Sequence, residues 1–159
     1  MHHGEQPPCG RNDDAHHVTA PSPGGAGAAA CMQLALDDAG LTTADIGHVN
    51  AHGTSTPLND AAEAEAIRKV FGGSAPPVTS TKGVTGHLVG AAGATEALAC
   101  LLAMRDSTVP PTANLEHLGE EIQLDVVAGE PRAVAAAPAL SNSFGFGGHN
   151  ATLIFAPAS

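Results

Sequence analysis

The side chains best suited to chemistry fall in three short segments: residues 50–57 (Asn-Ala-His-Gly-Thr-Ser-Thr-Pro), 80–87 (Ser-Thr-Lys-Gly-Val-Thr-Gly-His) and 142–148 (Asn-Ser-Phe-Gly-Phe-Gly-Gly). Each segment begins where a strand-like pattern stops. Together they offer the imidazoles of His52 and His87, the ammonium of Lys82 and a glycine-rich turn. Such groups can stabilise the negative charge that develops on a carbonyl oxygen during a reaction.

The histidines have a structural reading as well as a functional one. A single histidine after a strand usually serves only the structure, because imidazole satisfies loop hydrogen bonds well. His52 and His87 both follow strand-like segments, and both lie among Gly and Thr residues. Ligands of α/β sheets bind beyond the carboxyl ends of the strands. The pair therefore favours one shared site.

Two further features leave alternatives open. Lys82 lies between a predicted strand and an apolar helix, and Glu96 of that helix is its natural partner. The pattern favours a structural ion pair and an electrostatic catalytic role equally. The turn 145–148 reads either as a flexible hairpin or as a mobile gate. In the second reading one of its backbone amides donates to an oxyanion.

The cysteines do not supply a nucleophile by pattern. Cys9, Cys31 and Cys100 follow neither disulfide nor zinc spacing. Cys31 and Cys100 lie within apolar or Ala-rich helical patterns, which indicates inert buried thiols. The amino-terminal histidines also lack metal-ligand spacing: His2, His3, His16 and His17. We expect no metal site.

Composition excludes several partners. The formal charge is −10, and six scattered Lys and Arg residues cannot form the basic stripe that nucleic acid requires. No apolar run reaches the roughly 18 residues of a membrane span. The first residues lack the pattern of a secretory signal. We expect a cytoplasmic protein with reduced thiols.

The order of predicted elements indicates a layered α/β fold. The predicted helices span 25–40, 60–71 and 88–105, and the predicted strands span 46–50, 78–80, 124–127, 139–142 and 151–155. Residues 1–23 should form a loose or extended lead-in. Asn59 should cap the second helix, and the third should be buried on most sides. The last two strands should pair as a hairpin.

The three motif segments, in this order, resemble the carboxyl-terminal half of the β-ketoacyl-acyl carrier protein synthases. The resemblance is closest to the discrete, fatty-acid-elongating type known as KAS II, and it runs from about Asp14 to Phe155. It implies half of a thiolase-like α/β fold, with a layered mixed sheet and a buried helix. The implied domain covers 14–159 after a non-family lead-in, 1–13. It also implies a homodimeric full-length protein, acyl carrier protein as partner, and no cofactor.

The resemblance also assigns roles to individual residues. In the family, the histidines that His52 and His87 match hold the malonyl thioester carbonyl and promote decarboxylation. The residue sets are these: catalytic His52, His87 and Lys82; substrate-binding Thr54, Thr56 and Phe144; oxyanion donor and gate Phe146 with Gly145 and Gly147. Asn50, Glu63, Glu96, Ser141 and Asn150 match positions that in some members surround a structural monovalent cation.

One departure limits the expected activity. The nucleophilic cysteine of the family belongs to the amino-terminal half, which has no counterpart in this chain. Without a thiolate no acyl-enzyme forms, so we expect the isolated chain not to carry out decarboxylative Claisen condensation. Two alternatives remain: a non-catalytic fragment or split subunit that binds the missing half, and half of a polyketide ketosynthase.

Overall fold

The computed structural model describes residues 7–157 as a mixed sheet with helices on both faces. The strands are β1 Cys9–Asp13, β2 His48–Asn50, β3 Val78–Thr79, β4 Thr108–Val109, β5 Arg132–Ala133, β6 Ala139–Phe144 and β7 His149–Phe155. Five of them form one sheet in the order β1-β7-β6-β2-β3. β2 is parallel to β3 and β6, whereas β7 is antiparallel to β6 and β1. β4 and β5 pair separately.

The helices are α1 Ala26–Ala39, α2 Pro57–Phe71, α3 Lys82–Thr85 and α4 Ala92–Arg105. α1 and α2 cover one face of the sheet, where Met32 and Ile67 pack with Leu140 in the apolar core. α4 packs on the other face, and its Glu96 accepts a hydrogen bond from Ser143 of β6. The layered α/β arrangement that the sequence predicts is therefore present.

Two local predictions are confirmed in detail. α1 ends at Gly40, whose φ of 63° is the left-handed conformation that glycine adopts without strain. β6 and β7 form the predicted antiparallel hairpin, with Ala139 opposite Phe155 and Phe144 opposite Asn150.

Part of the loose or extended lead-in predicted over residues 1–23 is a regular strand of the sheet. Residues 9–13 form β1, which pairs with β7 from Cys9↔Leu153 to Asp13↔His149. The short, mostly polar segment lacks a strand pattern, and its pairing is decided by the open edge of β7. Residues 1–6 of the predicted lead-in, with His2 and His3, lie outside the described residues.

The starts of two helices also differ from prediction. α2 begins at Pro57 with Thr56 at its N-cap, since proline suits the first helical position. Asn59 does not cap the helix; its amide donates to Asp60 at 3.1 Å. α4 begins at Ala92, after a 3-10 turn, because Val89 has a φ of 52° that an α-helix cannot contain.

Two predictions of burial and pairing are corrected. Within the described residues, the predicted strand 124–127 makes a single bridge, between Val126 and Val78. α4 is buried on one side only, and its outward leucines are exposed. No helix in residues 7–157 combines the length and the apolar content needed to cross a membrane.

Candidate active site

The sheet topology brings the first two motif segments together. β2 and β3 are parallel neighbours, with Val49 opposite Val78 and Asn50 opposite Thr79. His52 follows the carboxyl end of β2, and Lys82 follows the carboxyl end of β3. Both side chains therefore emerge at the edge of the sheet where α/β proteins bind ligands.

The two predicted histidines face each other. The ring centroids of His52 and His87 lie 5.4 Å apart, with the planes at 85°. His52 is buried and His87 is exposed. The Nδ1 atom of His87 accepts a hydrogen bond from the Val89 amide at 3.1 Å, so the neutral ring carries its proton on Nε2. The strained backbone at Val89 thus fixes the donor atom of His87.

His52 is held in its neutral form. Burial, followed by the nearby charges of Lys82 and His87, lowers the pKa of His52 to about 3. The buried Nδ1 of His52 has no hydrogen-bond partner within residues 7–157. A neutral imidazole can donate an N–H to an oxyanion without carrying a charge that would bind competing anions.

Lys82 and Glu96 form a buried ion pair. Their side chains are 6% and 2% exposed, and the Lys82 ammonium donates to Oε1 of Glu96. The other carboxylate oxygen of Glu96 accepts from the Ser143 hydroxyl at 3.4 Å. The pairing that the sequence predicts is present, and it compensates two charges that would be costly to bury alone.

A second buried carboxylate fixes the backbone of His52. The Glu63 oxygens accept hydrogen bonds from the His52 amide at 2.8 Å and the Gly53 amide at 2.9 Å. The side-chain amide of Asn142 donates to Oε1 of Glu63 at 3.1 Å. Burial raises the pKa of Glu63, while these donors act against that rise. This clamp, formed by Glu63 with its three donors, connects three parts of the chain: α2, β6 and the loop that follows β2.

Ser80 is a site residue that the sequence analysis missed. Its hydroxyl donates to the Gly53 carbonyl at 3.0 Å and accepts from the Lys82 amide at 3.4 Å. Ser80 therefore joins the histidine loop to the lysine loop. Its place directly after β3, one strand from His52, was the available signal.

The substrate-binding residues predicted from the resemblance line one open cavity of about 1000 Å³ together with both histidines. The hydroxyls of Thr54 and Thr56 lie 2.9 Å apart. The Phe144 ring lies 5.7 Å from that of His52. Thr54, Thr56 and Phe144 therefore line the same cavity as the two histidines.

The glycine-rich turn closes one side of the cavity. The Gly145 amide donates to the His149 carbonyl, and the Gly147 amide donates to the Val18 carbonyl, both at 2.7 Å. Phe146 lies between them with 78% of its surface exposed. The amides of Gly145 and Gly147 are thus already engaged in hydrogen bonds. The roles of Phe146 as gate and of its N–H as oxyanion donor stay predictions.

The cation-matching residues do not converge on one point. Asn50 donates to the Ser141 hydroxyl at 3.2 Å, on the face of β6 against which Glu96 of α4 packs. Glu63 meets Asn142, whose side chain is on the opposite face of β6. Within the described residues, the buried Oδ1 of Asn50 has no partner, which leaves it available as an oxygen ligand. A cation stays a prediction.

Asn150 does not belong to this group of residues. Its amide donates to Asp14 at 2.7 Å and to Asn12 at 2.9 Å. Asn142 and Asn150 lie on the two strands of one hairpin, and the sequence pattern did not show which of them contacts Glu63. The structure shows that it is Asn142.

The thiols lie away from the histidines or are buried. Cys31 and Cys100 are fully buried. Burial raises the pKa of Cys31, and it raises that of Cys100 to about 12. Cys9 is half-buried on β1, at the far edge of the sheet from β2. These positions fit the prediction of thiols that do not act as nucleophiles.

Comparison with known proteins identifies the relatives of this chain. Residues 8–116 match the family "Beta-ketoacyl synthase, C-terminal domain". The 3-oxoacyl-[acyl-carrier-protein] synthase 2 of Synechocystis sp. is 51% identical over 144 residues, which are 89% of this chain and 35% of that protein. The chain thus spans about a third of the length of this relative.

Solved structures agree with the sequence match. A β-ketoacyl synthase from Burkholderia phymatum superposes with a TM-score of 0.90 at 41% identity, covering 95% of this chain and 36% of that one. A ketosynthase in complex with its type II polyketide acyl carrier protein superposes with a TM-score of 0.91 at 31% identity, covering 95% and 38%. The predicted thiolase-like half-fold is confirmed, and the chain belongs to the family of β-ketoacyl synthase C-terminal domains.

Proposed function

We propose that this chain supplies the decarboxylating part of a β-ketoacyl-acyl carrier protein synthase of fatty acid elongation. The observation that carries the proposal is the facing pair of His52 and His87, 5.4 Å apart at the rim of one cavity. The buried ion pair of Lys82 with Glu96 lies beside them and contributes to holding His52 neutral.

The proposed reaction begins with a malonyl thioester in this cavity. The N–H groups of His52 and His87 donate to the thioester carbonyl oxygen. The bond between the α-carbon and the carboxylate breaks, carbon dioxide leaves, and the electron pair becomes an enolate whose oxygen the two donors stabilise. In condensation the enolate carbon then attacks the carbonyl carbon of an acyl thioester; the new carbon–carbon bond forms, the carbon–sulfur bond of that thioester breaks, and its thiolate leaves with the electron pair.

Polar and aromatic side chains of the cavity can bind the pantetheine arm of the thioester. The hydroxyls of Thr54 and Thr56 can bond its amides, and the Phe144 ring adjoins His52. One structural neighbour is a ketosynthase bound to an acyl carrier protein, which supports acyl carrier protein as the partner that delivers the substrate.

Condensation requires a thiolate that these residues do not provide. The three cysteines are buried or lie at the far edge of the sheet. We therefore expect decarboxylation without condensation by the isolated chain, and condensation only when a second polypeptide segment brings a cysteine to the cavity. In the full-length protein we propose a cytoplasmic homodimer, and the free thiols suit a reducing compartment.

A fatty acid pathway is favoured over a polyketide pathway. The relative at 51% identity is named 3-oxoacyl-[acyl-carrier-protein] synthase 2, whereas the polyketide ketosynthase is 31% identical. A second candidate function, that of a non-catalytic fragment or split subunit, is supported by the exposed leucines of α4, which offer a surface for another polypeptide.

The test is malonyl thioester decarboxylation by the purified chain, followed by mass spectrometry of the acetyl thioester formed. His52→Ala and His87→Ala should each reduce the rate at least about 100-fold, since each removes one donor. His117→Ala, which changes an exposed histidine outside the cavity lining, is the matched control. Equal rates in the control and in both site variants would contradict the proposal, as would the absence of any decarboxylation.

A further inference from the structure

The lysine and the second histidine of the site depend on a very short helix. α3 spans only Lys82–Thr85, and the chain continues to His87 through Gly86. A single helical turn is unstable on its own, because nucleation of a helix is unfavourable and few hydrogen bonds follow it here. Gly86 has a φ of 68° and a ψ of −178°, which turns the chain out of the helix. α3 therefore needs contacts from elsewhere in the chain to keep its place.

The carboxyl end of α3 receives such a contact from Asn114. The side-chain amide of Asn114 donates to the Gly83 carbonyl at 2.9 Å. That carbonyl belongs to the groups that a helix leaves without an internal donor at its carboxyl end. The backbones are close as well, since a Cβ on Gly83 would lie 2.2 Å from the Ala113 carbonyl oxygen. Asn114 thus caps α3 from a position 31 residues away.

The segment that presents Asn114 is itself anchored. The Thr112 amide donates to the Val127 carbonyl at 2.8 Å, and the Val127 amide donates to the Val78 carbonyl of β3 at 2.9 Å. The Thr112 hydroxyl accepts a hydrogen bond from the Ser80 amide at 3.1 Å. The segment is therefore fixed to the strand that precedes the lysine loop, and its asparagine reaches α3 from a defined position.

The residue type suits both requirements at position 114. Asn114 has a φ of 61°, in the left-handed region that most side chains avoid and that asparagine tolerates. Glycine would supply this backbone conformation without a donor, and alanine would supply neither. An aspartate carboxylate would tolerate the conformation but only accepts hydrogen bonds. Asparagine combines the left-handed turn with the donor that the Gly83 carbonyl needs.

The two histidines differ in how they are held. His52 is buried, and the Glu63 carboxylate binds its amide and the next one directly. His87 is exposed and follows α3 by two residues. We propose that Asn114 is a positioning residue, which holds α3 through the Gly83 carbonyl so that the His87 ring faces His52. Asn114 does not line the cavity, so it acts through α3 alone. This inference rests on the decarboxylation proposed above.

The first test is malonyl thioester decarboxylation by Asn114→Gly, which keeps the left-handed backbone and removes the donor. Its kcat should fall at least about fivefold, since a hydrogen bond and the alignment of a catalytic group are lost. KM should change less than about twofold, because Thr54 and Thr56, proposed to bind the thioester arm, lie on another loop. Asn114→Asp should behave like Asn114→Gly. A wild-type kcat in Asn114→Gly would overturn the inference.

A double variant separates positioning from a general loss of stability. In the His87→Ala background Asn114→Gly should reduce the rate no further, because the ring that Asn114 positions is absent. The same fold reduction in both backgrounds would show that Asn114 acts without His87 and would also overturn the inference. Glu116→Ala, at an exposed position nearby, is the control and should retain the wild-type kcat. Urea unfolding establishes that each variant is folded under the assay conditions.

Proton NMR of the imidazole signals tests the placement of His87 without catalysis. Asn114→Gly should shift or broaden the His87 signal, assigned with His87→Gln, and leave that of His48, buried in β2, unchanged. If the wild type does not decarboxylate, the proposed function fails, and a changed His87 signal still supports the placement of the ring by Asn114. An identical His87 signal in the wild type and in Asn114→Gly would rule out that placement, whatever the rates.

Discussion

The positive charge of Lys82 acts on His52 although Lys82 is itself paired with Glu96. Burial of His52 is the larger influence, and both lower its pKa, to about 3. Lys82 thus has two effects: its charge compensates the buried carboxylate of Glu96 on α4, and it favours the neutral form of the neighbouring His52 imidazole.

His52 should therefore remain neutral across the physiological range. Its pKa of about 3 means that protonation begins only well below pH 5, so it should not titrate between pH 5 and pH 8. Proton NMR of the imidazole resonances checks this directly, with His52→Gln to assign the signal. A His52 midpoint near the ordinary value of about 6.5 would contradict the buried, cation-adjacent setting.

Lys82→Met should destabilise the fold by about 3–5 kcal/mol, because it leaves the Glu96 carboxylate buried without its partner. The double variant Lys82→Met with Glu96→Gln should regain most of that free energy of unfolding, measured in urea. The decarboxylation rate of the double variant distinguishes a structural ion pair from an electrostatic catalytic role for Lys82. If the double variant is stable and as active as the wild type, the pair is structural only.

His48 should make the protein sensitive to acid. It is buried in β2, and neither ring nitrogen has a partner within residues 7–157. Burial lowers its pKa to about 4. The unfolded state takes up a proton as the pH falls below about 6.5, whereas folded His48 does not, so stability falls from there toward pH 4.

His48→Leu should remove this part of the acid sensitivity. Between pH 7 and pH 4.5 its free energy of unfolding should fall less than that of the wild type, by about 2–3 kcal/mol. The contribution of His52 is common to both proteins and cancels. His117→Leu, at an exposed position, should retain the wild-type pH dependence. Parallel curves for His48→Leu and the wild type would refute the account.

Gly53 should tolerate substitution poorly. Its φ is 44°, and a Cβ there would lie 2.7 Å from the Cβ of Ser80. Gly53→Ala should cost about 2–3 kcal/mol in urea unfolding, from backbone strain and from displacement of Ser80. Gly40→Ala isolates the strain, since Gly40 has a φ of 63° with nothing within 4 Å, and it should cost about 1 kcal/mol. Similar losses in both would show that the contact with Ser80 is unimportant.

The sequence predicted the features that depend on neighbouring residues alone, such as helix ends and tight turns. The glycine at position 40 ends α1, and the glycine-rich turn after residue 144 joins β6 to β7. The meeting of His52 with His87 was also predictable, because parallel neighbouring strands end at one edge of a sheet. These features need only residue type, spacing and one topological rule.

Long-range and unfavourable local features escaped prediction. β1 pairs with a strand about 140 residues away, and nothing in its own polar residues indicates this. Val89 adopts a left-handed conformation that β-branched residues avoid, so propensity predicted a helix there. The all-round apolar pattern of α4 could not show which side the rest of the chain covers. The clamp of Glu63 with Asn142 depends on exact strand register.

The amino-terminal segment also holds the turn that carries Phe146. The Asp14 amide donates to the Gly148 carbonyl at 2.9 Å, and the Val18 carbonyl accepts from Gly147. Deletion of residues 7–18 would therefore remove β1 as well as both of these hydrogen bonds. The backbone groups of β7 would become a template for strand exchange between molecules, and the turn that carries Phe146 would lose two of its backbone hydrogen bonds.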